Sequence, residues 1–515
     1  MIITHPKKYK KINYYFYYVR FILIGSLAST SLPPLSIFPL IFLLSIPIFY
    51  FCKAQNSKKA FLIGFFTALG WFLASLYWLS NSLVVGGQQF IWMIPFVFFG
   101  FPAFLSIFWG LAFYISNIFG KSFVEKMILI SIFFPVFEWL RGNILTGFPW
   151  NMLGFALSHP LEISQTVSLM GPYGQNTLAI LIVLIPVSLV AKQKSFAITT
   201  TLFCCTVLFL SYYQFKTNKV IFTEHTVRLV QPNFSHSEKW ERNKFYQNLN
   251  KLVELSNADF SESGLIVWPE TALTNFEENI SKEINIISRS ILLNDKAYLI
   301  SGIPSKEYVN DTMHYYNSVM VFNHKGDNIG KYDKNKLVPF GEYIPFRKRI
   351  SFLKILASDK EFSKGSIGAH FFKFGNLNIY PMICYEAVFP WKKNKRTSYD
   401  LIVNITNDSW FGNTIGPAQH FWLSKQRAIE TGIPMIRVSN SGISAVIAPN
   451  GKEIGKLNYG ISGFLDTKIP KKFSETFYAR WGDSIFFFMT IFLIIIYFFL
   501  RLNKKYKLKN KYVKS

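Results

Sequence analysis

The sequence predicts a polytopic α-helical membrane bundle of about eight transmembrane helices that carries one soluble α/β domain. Two observations give this fold class. Apolar stretches of transmembrane length fill roughly the first 215 residues and occur once more near the C-terminus. Between them, short β-branched and aromatic runs, such as 318–322, alternate with amphipathic helical patterns, such as 239–255, and the sequences at 323–327 and 449–451 predict hairpin turns. The length of 515 residues is enough for both parts.

Eight segments are long and apolar enough to cross a bilayer. They cover about residues 14–31, 34–52, 60–81, 90–117, 124–141, 174–191, 196–214 and 482–500. The 90–117 segment is long enough to be tilted, or broken at Pro102. The predicted division is a basic N-terminus at about 1–13, a seven-helix bundle at 14–215, a soluble domain at 216–480, a last transmembrane helix at 481–500 and a basic tail at 501–515.

The positive charges orient these segments. The net charge is +26, and lysine clusters precede the first segment and follow the second, fourth, sixth and eighth. The connectors after the first and third segments contain neither lysine nor arginine. Because positively charged loops stay in the cytoplasm, we expect both termini there and the soluble domain on the outer side of the membrane. Lysines placed at helix ends also argue against a nucleic-acid partner.

The cysteines direct attention to one position. Cys52, Cys204 and Cys205 lie within apolar segments, where cysteine is usually a small packing residue. The spacing of cysteine and histidine matches neither a zinc site nor a disulfide framework, so we expect no metal. Cys384 differs because it ends the predicted strand 378–383. A sharp turn there would present its thiol in the manner of a nucleophile elbow.

Two further loops supply groups that could activate this thiol. Glu270 follows the predicted strand 265–268, and Lys334 follows another strand-like run. Strand ends converge at one edge of an α/β sheet, so these residues can share a pocket. The carboxylate can take the thiol proton, and the ammonium can stabilise the thiolate and a developing oxyanion. Taken singly, a loop Glu or Lys is usually solvated surface and a single Cys is usually packing.

The motifs around these residues resemble the carbon–nitrogen hydrolase (nitrilase) superfamily. The matching segments are Trp268-Pro269-Glu270, Lys334 ahead of Leu337-Val338-Pro339-Phe340-Gly341-Glu342, Ile383-Cys384-Tyr385-Glu386, Asn407-Asp408-Ser409-Trp410-Phe411-Gly412 and Gly416-Pro417-Ala418-Gln419-His420. The resemblance implies a nitrilase-like α-β-β-α sandwich. With the membrane flanks, segments 138–150 and 227–240 are similar to the superfamily's membrane-embedded branch, the apolipoprotein N-acyltransferases.

This resemblance implies roles for individual residues. Glu270 matches the general base, Lys334 the oxyanion-stabilising lysine and Cys384 the nucleophile. Positions implied to support the site or bind substrate are Trp240, Glu342, Tyr385 and Glu386. The chain departs from the family pattern at Pro232, Ser409 and Lys336, the last of which adds a cation near Lys334. For His420 we expect only a hydrogen-bonded structural role.

The implied reaction transfers an acyl chain from a membrane phospholipid to a lipoprotein. The donor would be phosphatidylethanolamine, the intermediate a thioester on Cys384, and the acceptor the α-amino group of a diacylglyceryl-cysteine. The resemblance further implies a periplasmic catalytic domain, a multi-pass protein of the bacterial inner membrane, no cofactor and a monomer. Two alternatives are a membrane-tethered amidase or nitrilase that uses water and an inactive scaffold. Glu138 and Arg141 fit a functional pair and a structural ion pair about equally, and segment 351–369 is a candidate lid.

Overall fold

The structure is a computed structural model that describes residues 7–257, 264–292, 297–345, 361–366, 372–392 and 398–513. The chain divides into two compact units. One comprises the residues up to Lys216 together with those from Arg480 onward, and the other comprises Thr217–Ala479. Of the candidate lid at 351–369, only 361–366 lies among the described residues.

The first unit is helical. In chain order it contains α1 (Lys7–Ala28), α2 (Ser45–Lys53), α3 (Ser57–Leu76), α4 (Asn81–Val85), α5 (Phe101–Phe119), α6 (Phe123–Asn143), α7 (Leu161–Ser164), α8 (Thr166–Val190) and α9 (Lys194–Thr217). Side chains cap the starts of two long helices. Asn56 accepts a hydrogen bond from the Lys58 backbone N–H, and Ser122 accepts one from that of Glu125.

All eight predicted segments contain helix, although a turn of another helix type interrupts three of them. In the 60–81 segment a 3₁₀ turn at Tyr77–Ser80 separates α3 from α4. In the 34–52 segment a 3₁₀ turn at Phe38–Leu44 precedes α2. In the 90–117 segment a π turn at Phe96–Gly100 precedes α5, and Pro102 stands in the first turn of α5. The helical backbone continues from one into the other, so the segment is irregular just before Pro102 but is not broken there.

Length and composition make some of these helices candidate membrane spans. In the described part of the chain they are Ser57–Val85, Phe90–Phe119, Thr166–Val190, Lys194–Thr217 and Ser484–Asn503. The helix α8 contains a kink at Gly171, whose φ of 69° a side chain would strain. The first unit thus has several long apolar helices compatible with a membrane bundle.

Glu138 and Arg141 form a buried ion pair in α6. The Nη2 and Nε atoms of Arg141 donate to the two carboxylate oxygens of Glu138 at 2.8 and 2.9 Å. The Trp109 indole N–H donates to Glu138 Oε1 at 3.0 Å, and Arg141 Nη1 donates to the Trp150 carbonyl at 3.0 Å. Of the two interpretations of Glu138 and Arg141, a functional pair or a structural ion pair, these contacts match the structural ion pair.

The second unit contains two six-stranded sheets and their helices. Its elements are β1 (Phe222–Gln231), α10 (His236–Trp240), α11 (Phe245–Asn257), β2 (Gly264–Val267), α12 (Ser281–Ile291), β3 (Tyr298–Val309), β4 (Thr312–Phe322), β5 (Asn328–Asp333), β6 (Phe372–Phe374), β7 (Leu377–Ile383), β8 (Leu401–Thr406), α13 (Gly416–Thr431), β9 (Met435–Ser439), β10 (Ser444–Ile447), β11 (Glu453–Leu457) and β12 (Gly463–Pro470). The chain then continues through α14 (Phe477–Trp481) and α15 (Ser484–Val513).

The strand order is β12-β1-β2-β3-β4-β5 in one sheet and β11-β10-β9-β8-β7-β6 in the other. The central strands β1, β2 and β3 are parallel, as are β7, β8 and β9. One apolar cluster joins residues of both sheets, including Val267, Ile300, Ile383 and Val403. A second joins the outer face of the first sheet to α11 and α12, and α13 contacts β9 of the second sheet. These layers confirm the predicted α-β-β-α sandwich.

Local patterns predicted most of the second unit correctly. The turns predicted at 323–327 and 449–451 connect β4 to β5 and β10 to β11. The helix predicted over 239–255 was only partly right. It is divided into α10, a 3₁₀ turn at Arg242–Lys244 and α11, because Glu241 adopts an extended conformation.

Candidate active site

Cys384 lies where β7 ends and a 3₁₀ turn, Cys384–Val388, begins. Its φ is +48°, in the left-handed region that non-glycine residues seldom adopt. Such strain persists only where surrounding contacts hold it. The residue is 8% exposed, so the thiol sits in a largely dry environment. The sharp turn predicted after this strand is present.

Glu386 holds this elbow from within. Its Oε2 accepts the Ile383 backbone N–H at 2.8 Å, and its Oε1 accepts the Tyr332 hydroxyl at 2.7 Å. The backbone N–H groups of Asn335 and Lys336 also donate to Oε1, at 2.8 and 3.1 Å. A single buried carboxylate therefore fixes the elbow to the loop that carries Lys334. Burial raises the pKa of Glu386 in spite of these hydrogen bonds.

Glu270 lies in the turn after β2, packed tightly against β3. The next residue, Thr271, has a φ of +47°. Gly302 of β3 lies directly beneath this turn, where an added Cβ would come within 2.7 Å of the Glu270 Cα. The Gly302 N–H donates to the Pro269 carbonyl at 3.2 Å, which fixes the turn to the sheet.

Lys334 lies directly after β5 and joins two carboxylates. Its Nζ is 2.9 Å from Glu342 Oε1 and 3.3 Å from Glu270 Oε1. The side-chain amide of Asn317, from β4, donates to the same two oxygens at 2.7 Å for Glu270 and 2.8 Å for Glu342. Although burial opposes a charge, Glu342 and Glu270 raise the pKa of Lys334, so its ammonium stays protonated.

The remaining predicted residues occupy different places. Glu342 Oε2 also accepts the Val338 backbone N–H at 2.8 Å, which closes the loop before it. Tyr385 is buried next to Cys384, and burial raises its pKa. Trp240 is 47% exposed at the end of α10 and is not packed into the cluster. The Lys336 ammonium lies 4.9 Å from the centre of the Phe389 ring, so it is directed at an aromatic face.

The electrostatics of the thiol follow from this setting. Burial raises the pKa of Cys384 to about 12. The Glu270 carboxylate adds to the rise, while the Lys334 ammonium and a hydrogen bond from the Asn407 backbone N–H oppose it. The resting group is therefore a thiol, and it needs a base at the moment of attack.

A buried network supports the elbow from the second sheet. His420 Nδ1 lies 2.7 Å from Asp408 Oδ1, and His420 Nε2 lies 3.2 Å from the Cys384 carbonyl oxygen. Arg437 Nη2 donates to Asp408 Oδ2 at 2.8 Å. Burial and the Arg437 charge lower the pKa of His420. The structural, hydrogen-bonded role expected for His420 matches this geometry.

Sequence reasoning missed Asn317 and Lys239. Asn317 lies one residue before the strand predicted at 318–322. Extending that strand by one residue would have included Asn317, and the alternation of side chains along a strand was therefore the available signal for its position. Lys239 is only 3% exposed, and its Nζ donates to the Glu270 carbonyl oxygen at 2.8 Å. The helical pattern in which it occurs gave no indication of burial.

The cluster has the groups for covalent acyl chemistry. A thiol, a carboxylate able to take its proton and a buried ammonium able to stabilise an oxyanion are combined around one elbow. Within the described ranges, no group of three or more His, Cys, Asp or Glu side chains is arranged to hold a metal ion.

Comparisons with known proteins cover both units. A carbon–nitrogen hydrolase family model matches residues 226–476, and one for the apolipoprotein N-acyltransferase N-terminal domain matches 24–185. The apolipoprotein N-acyltransferase of Rickettsia prowazekii is 32% identical over 493 residues, which span 93% of this chain and 98% of that protein. That of Bradyrhizobium diazoefficiens is 31% identical over 490 residues, or 89% and 90% of the two chains. A carbon–nitrogen hydrolase superfamily structure from Xanthomonas campestris is 18% identical with a TM-score of 0.36, covering 48% of this chain and 90% of that one.

Proposed function

The chain belongs to the apolipoprotein N-acyltransferase family, and from this membership we propose a two-step acyl transfer through a thioester on Cys384. The protein is a membrane acyltransferase of the carbon–nitrogen hydrolase superfamily that acts in lipoprotein maturation. The donor we propose is a membrane phospholipid, with phosphatidylethanolamine preferred. The acceptor we propose is the α-amino group of a diacylglyceryl-cysteine at a lipoprotein's N-terminus.

In the first step, the Cys384 thiol gives its proton to Glu270 and the sulfur attacks the ester carbonyl carbon. The carbonyl oxygen becomes an oxyanion, which Lys334 stabilises. The carbon–oxygen ester bond then breaks, and the proton on Glu270 passes to the leaving alkoxide. The products are a thioester on Cys384 and a lysophospholipid.

In the second step, the lipoprotein amine attacks the thioester carbonyl and loses a proton to Glu270. The carbon–sulfur bond breaks, an amide forms, and the sulfur regains a proton as a thiol. Both steps use one nucleophile, so the reaction is ping-pong. Water must be disfavoured during the lifetime of the thioester, because hydrolysis would compete with the amine. The exposed indole of Trp240 is available for substrate contact. The side chains of Glu342, Tyr385 and Glu386 support the arrangement of the active site.

One observation carries this mechanism. The Lys334 ammonium lies within 3.3 Å of Glu270 and 2.9 Å of Glu342, and it interacts electrostatically with a thiol held on a strained elbow. A base and an oxyanion-stabilising cation thus serve the same nucleophile. We propose a monomer as the active form.

The experiment is an assay with purified protein, phospholipid and a diacylglyceryl peptide. We expect lysophospholipid and N-acylated peptide in equal amounts, and a thioester on Cys384 when the peptide is omitted. Cys384→Ser abolishes the thioester, and Glu270→Gln blocks acylation while folding is retained. Free fatty acid in place of N-acyl peptide would indicate a hydrolase, and a thioester signal in Cys384→Ser would refute the assigned nucleophile.

We further propose that both termini are cytoplasmic and that the 216–480 domain lies in the periplasm, anchored to the bacterial inner membrane. Lysine clusters at alternate connectors support this topology, and their position at helix ends supports a protein that binds no nucleic acid. A reporter fused after Ser515 is expected to be active in the cytoplasm and one inserted within 216–480 in the periplasm. The opposite pattern would overturn the topology.

A further inference from the structure

Lys239 is a buried amine that the mechanism above does not use. It lies on α10, where Ser235 and Glu238 form a capping box that fixes the helix start. The segment before α10 is tied to the second sheet, because the Asn233 and Phe234 N–H groups donate to the backbone and side chain of Asn440. Lys239 is therefore held in a defined place between both halves of the sandwich.

The Lys239 ammonium is directed at the turn that carries the proposed base. Its Nζ donates to the Glu270 carbonyl oxygen at 2.8 Å, and it interacts electrostatically with both Glu270 and Cys384. The hydrogen-bond partner of Lys239 is thus a backbone carbonyl, whereas Lys334 pairs with the carboxylate oxygens of Glu270 and Glu342. A buried charge with a carbonyl as its hydrogen-bond partner requires a nearby counter-charge to be stable.

Counting charges shows that one cation is too few for this cluster. In the resting cluster the two negative groups are the carboxylates of Glu270 and Glu342, and Lys334 supplies one positive charge against them. When the thiol proton moves to Glu270, the total is unchanged, but one of the negative charges now lies on the Cys384 sulfur. A second buried cation makes the cluster neutral in both states, and without it one uncompensated negative charge would remain in a site of low dielectric.

We propose that Lys239 is the second cation of the active site, which positions Glu270 through its main chain and balances the charge of the Cys384 thiolate. This rests on Cys384 as the nucleophile of the proposed function. Burial lowers the pKa of Lys239 to about 8, against the opposing influence of Glu270 and Cys384. Besides these two groups, His236 of the same helix is the titratable neighbour with which it interacts. The balancing charge is present below about pH 8 and is lost above it.

The test measures alkylation of Cys384 by iodoacetamide in the full-length protein, followed by mass spectrometry of its peptide from pH 6 to 10. In Lys239→Met we expect alkylation at pH 7 to be roughly tenfold slower, the equivalent of one pKa unit in the thiolate population. Lys425→Met is the matched control, because Lys425 is also 3% exposed but pairs with Glu453 instead. This control is expected to react at the wild-type rate.

A second variant serves if Lys239→Met does not fold. Arginine keeps its charge at all these pH values. The wild-type rate is expected to rise less steeply above about pH 8, and Lys239→Arg to show no such change in slope. A wild-type alkylation profile in folded Lys239→Met, or the same change in slope in Lys239→Arg, would overturn the proposal. Alkylation needs no acyl donor or acceptor. A failed acyl-transfer assay with the expected alkylation profiles would therefore count against the proposed function and not against Lys239.

Discussion

Replacing Gly302 with alanine tests whether the position of Glu270 controls acylation. An added Cβ would lie 2.3 Å from the Thr271 backbone nitrogen and 2.7 Å from the Glu270 Cα, whereas ordinary contact begins at 3.4 Å. Both atoms belong to the backbone, so no flexible side chain can move aside. The turn must therefore retreat by about 1 Å, the difference between the 3.4 and 2.3 Å distances.

That displacement moves the carboxylate of Glu270 relative to its partners. Its contacts at 2.7 Å to Asn317 and 3.3 Å to Lys334 are at or near hydrogen-bond length, so a shift of this size breaks or misaligns them. A misplacement of about 1 Å costs on the order of 10²-fold in rate. Overpacking at a buried glycine also destabilises a fold by about 1–3 kcal/mol.

The assay is the rate of thioester formation on Cys384 with phospholipid alone, followed by mass spectrometry. Gly463→Ala is the matched control, because a Cβ there meets no atom within 4 Å. We expect a loss of about 10²-fold for Gly302→Ala and none for the control. Folded Gly302→Ala that acylates at the wild-type rate would show that the exact place of Glu270 is unimportant.

Two further predictions concern neighbouring residues. Glu386→Gln replaces one carboxylate oxygen by an amide donor. In one orientation of the amide the Ile383 N–H loses its acceptor, and in the other the Tyr332, Asn335 and Lys336 donors lose theirs. We expect a loss of about 2–3 kcal/mol in stability, read from thermal unfolding, and an unchanged Tm would contradict it. Asn317→Asp places a third carboxylate beside Glu270 and Glu342. We expect it to acylate at least about tenfold more slowly than Asn317→Ala because of like-charge repulsion, and equal rates in the two variants would contradict this.

The sequence predicted what depends on local pattern. Strands, hairpin turns and the place of Cys384 at the end of β7 all follow from the pattern of neighbouring residues. The motifs around Glu270, Lys334 and Cys384 identified the three loops of the site. The contacts of Lys239 and Asn317 depend on pairing between elements distant in the chain. A lysine in a helical pattern resembles a solvated one until the sheet packs over it. Trp240 is the opposite case. It is an aromatic residue next to a buried lysine in the sequence, yet about half of it is exposed.

The pairing of β1 with β12 has a consequence for the order in which the domain can form. These strands are the first and last of the second unit, and they run antiparallel from Phe222 opposite Pro470 to Gln231 opposite Gly463. During synthesis, β1 emerges soon after α9 but has an open edge until nearly the whole domain has followed. The sheet therefore closes only shortly before α15 is made. A chain truncated before β12 would expose that edge, and we expect it to be cleared as misfolded rather than retained as an inactive enzyme.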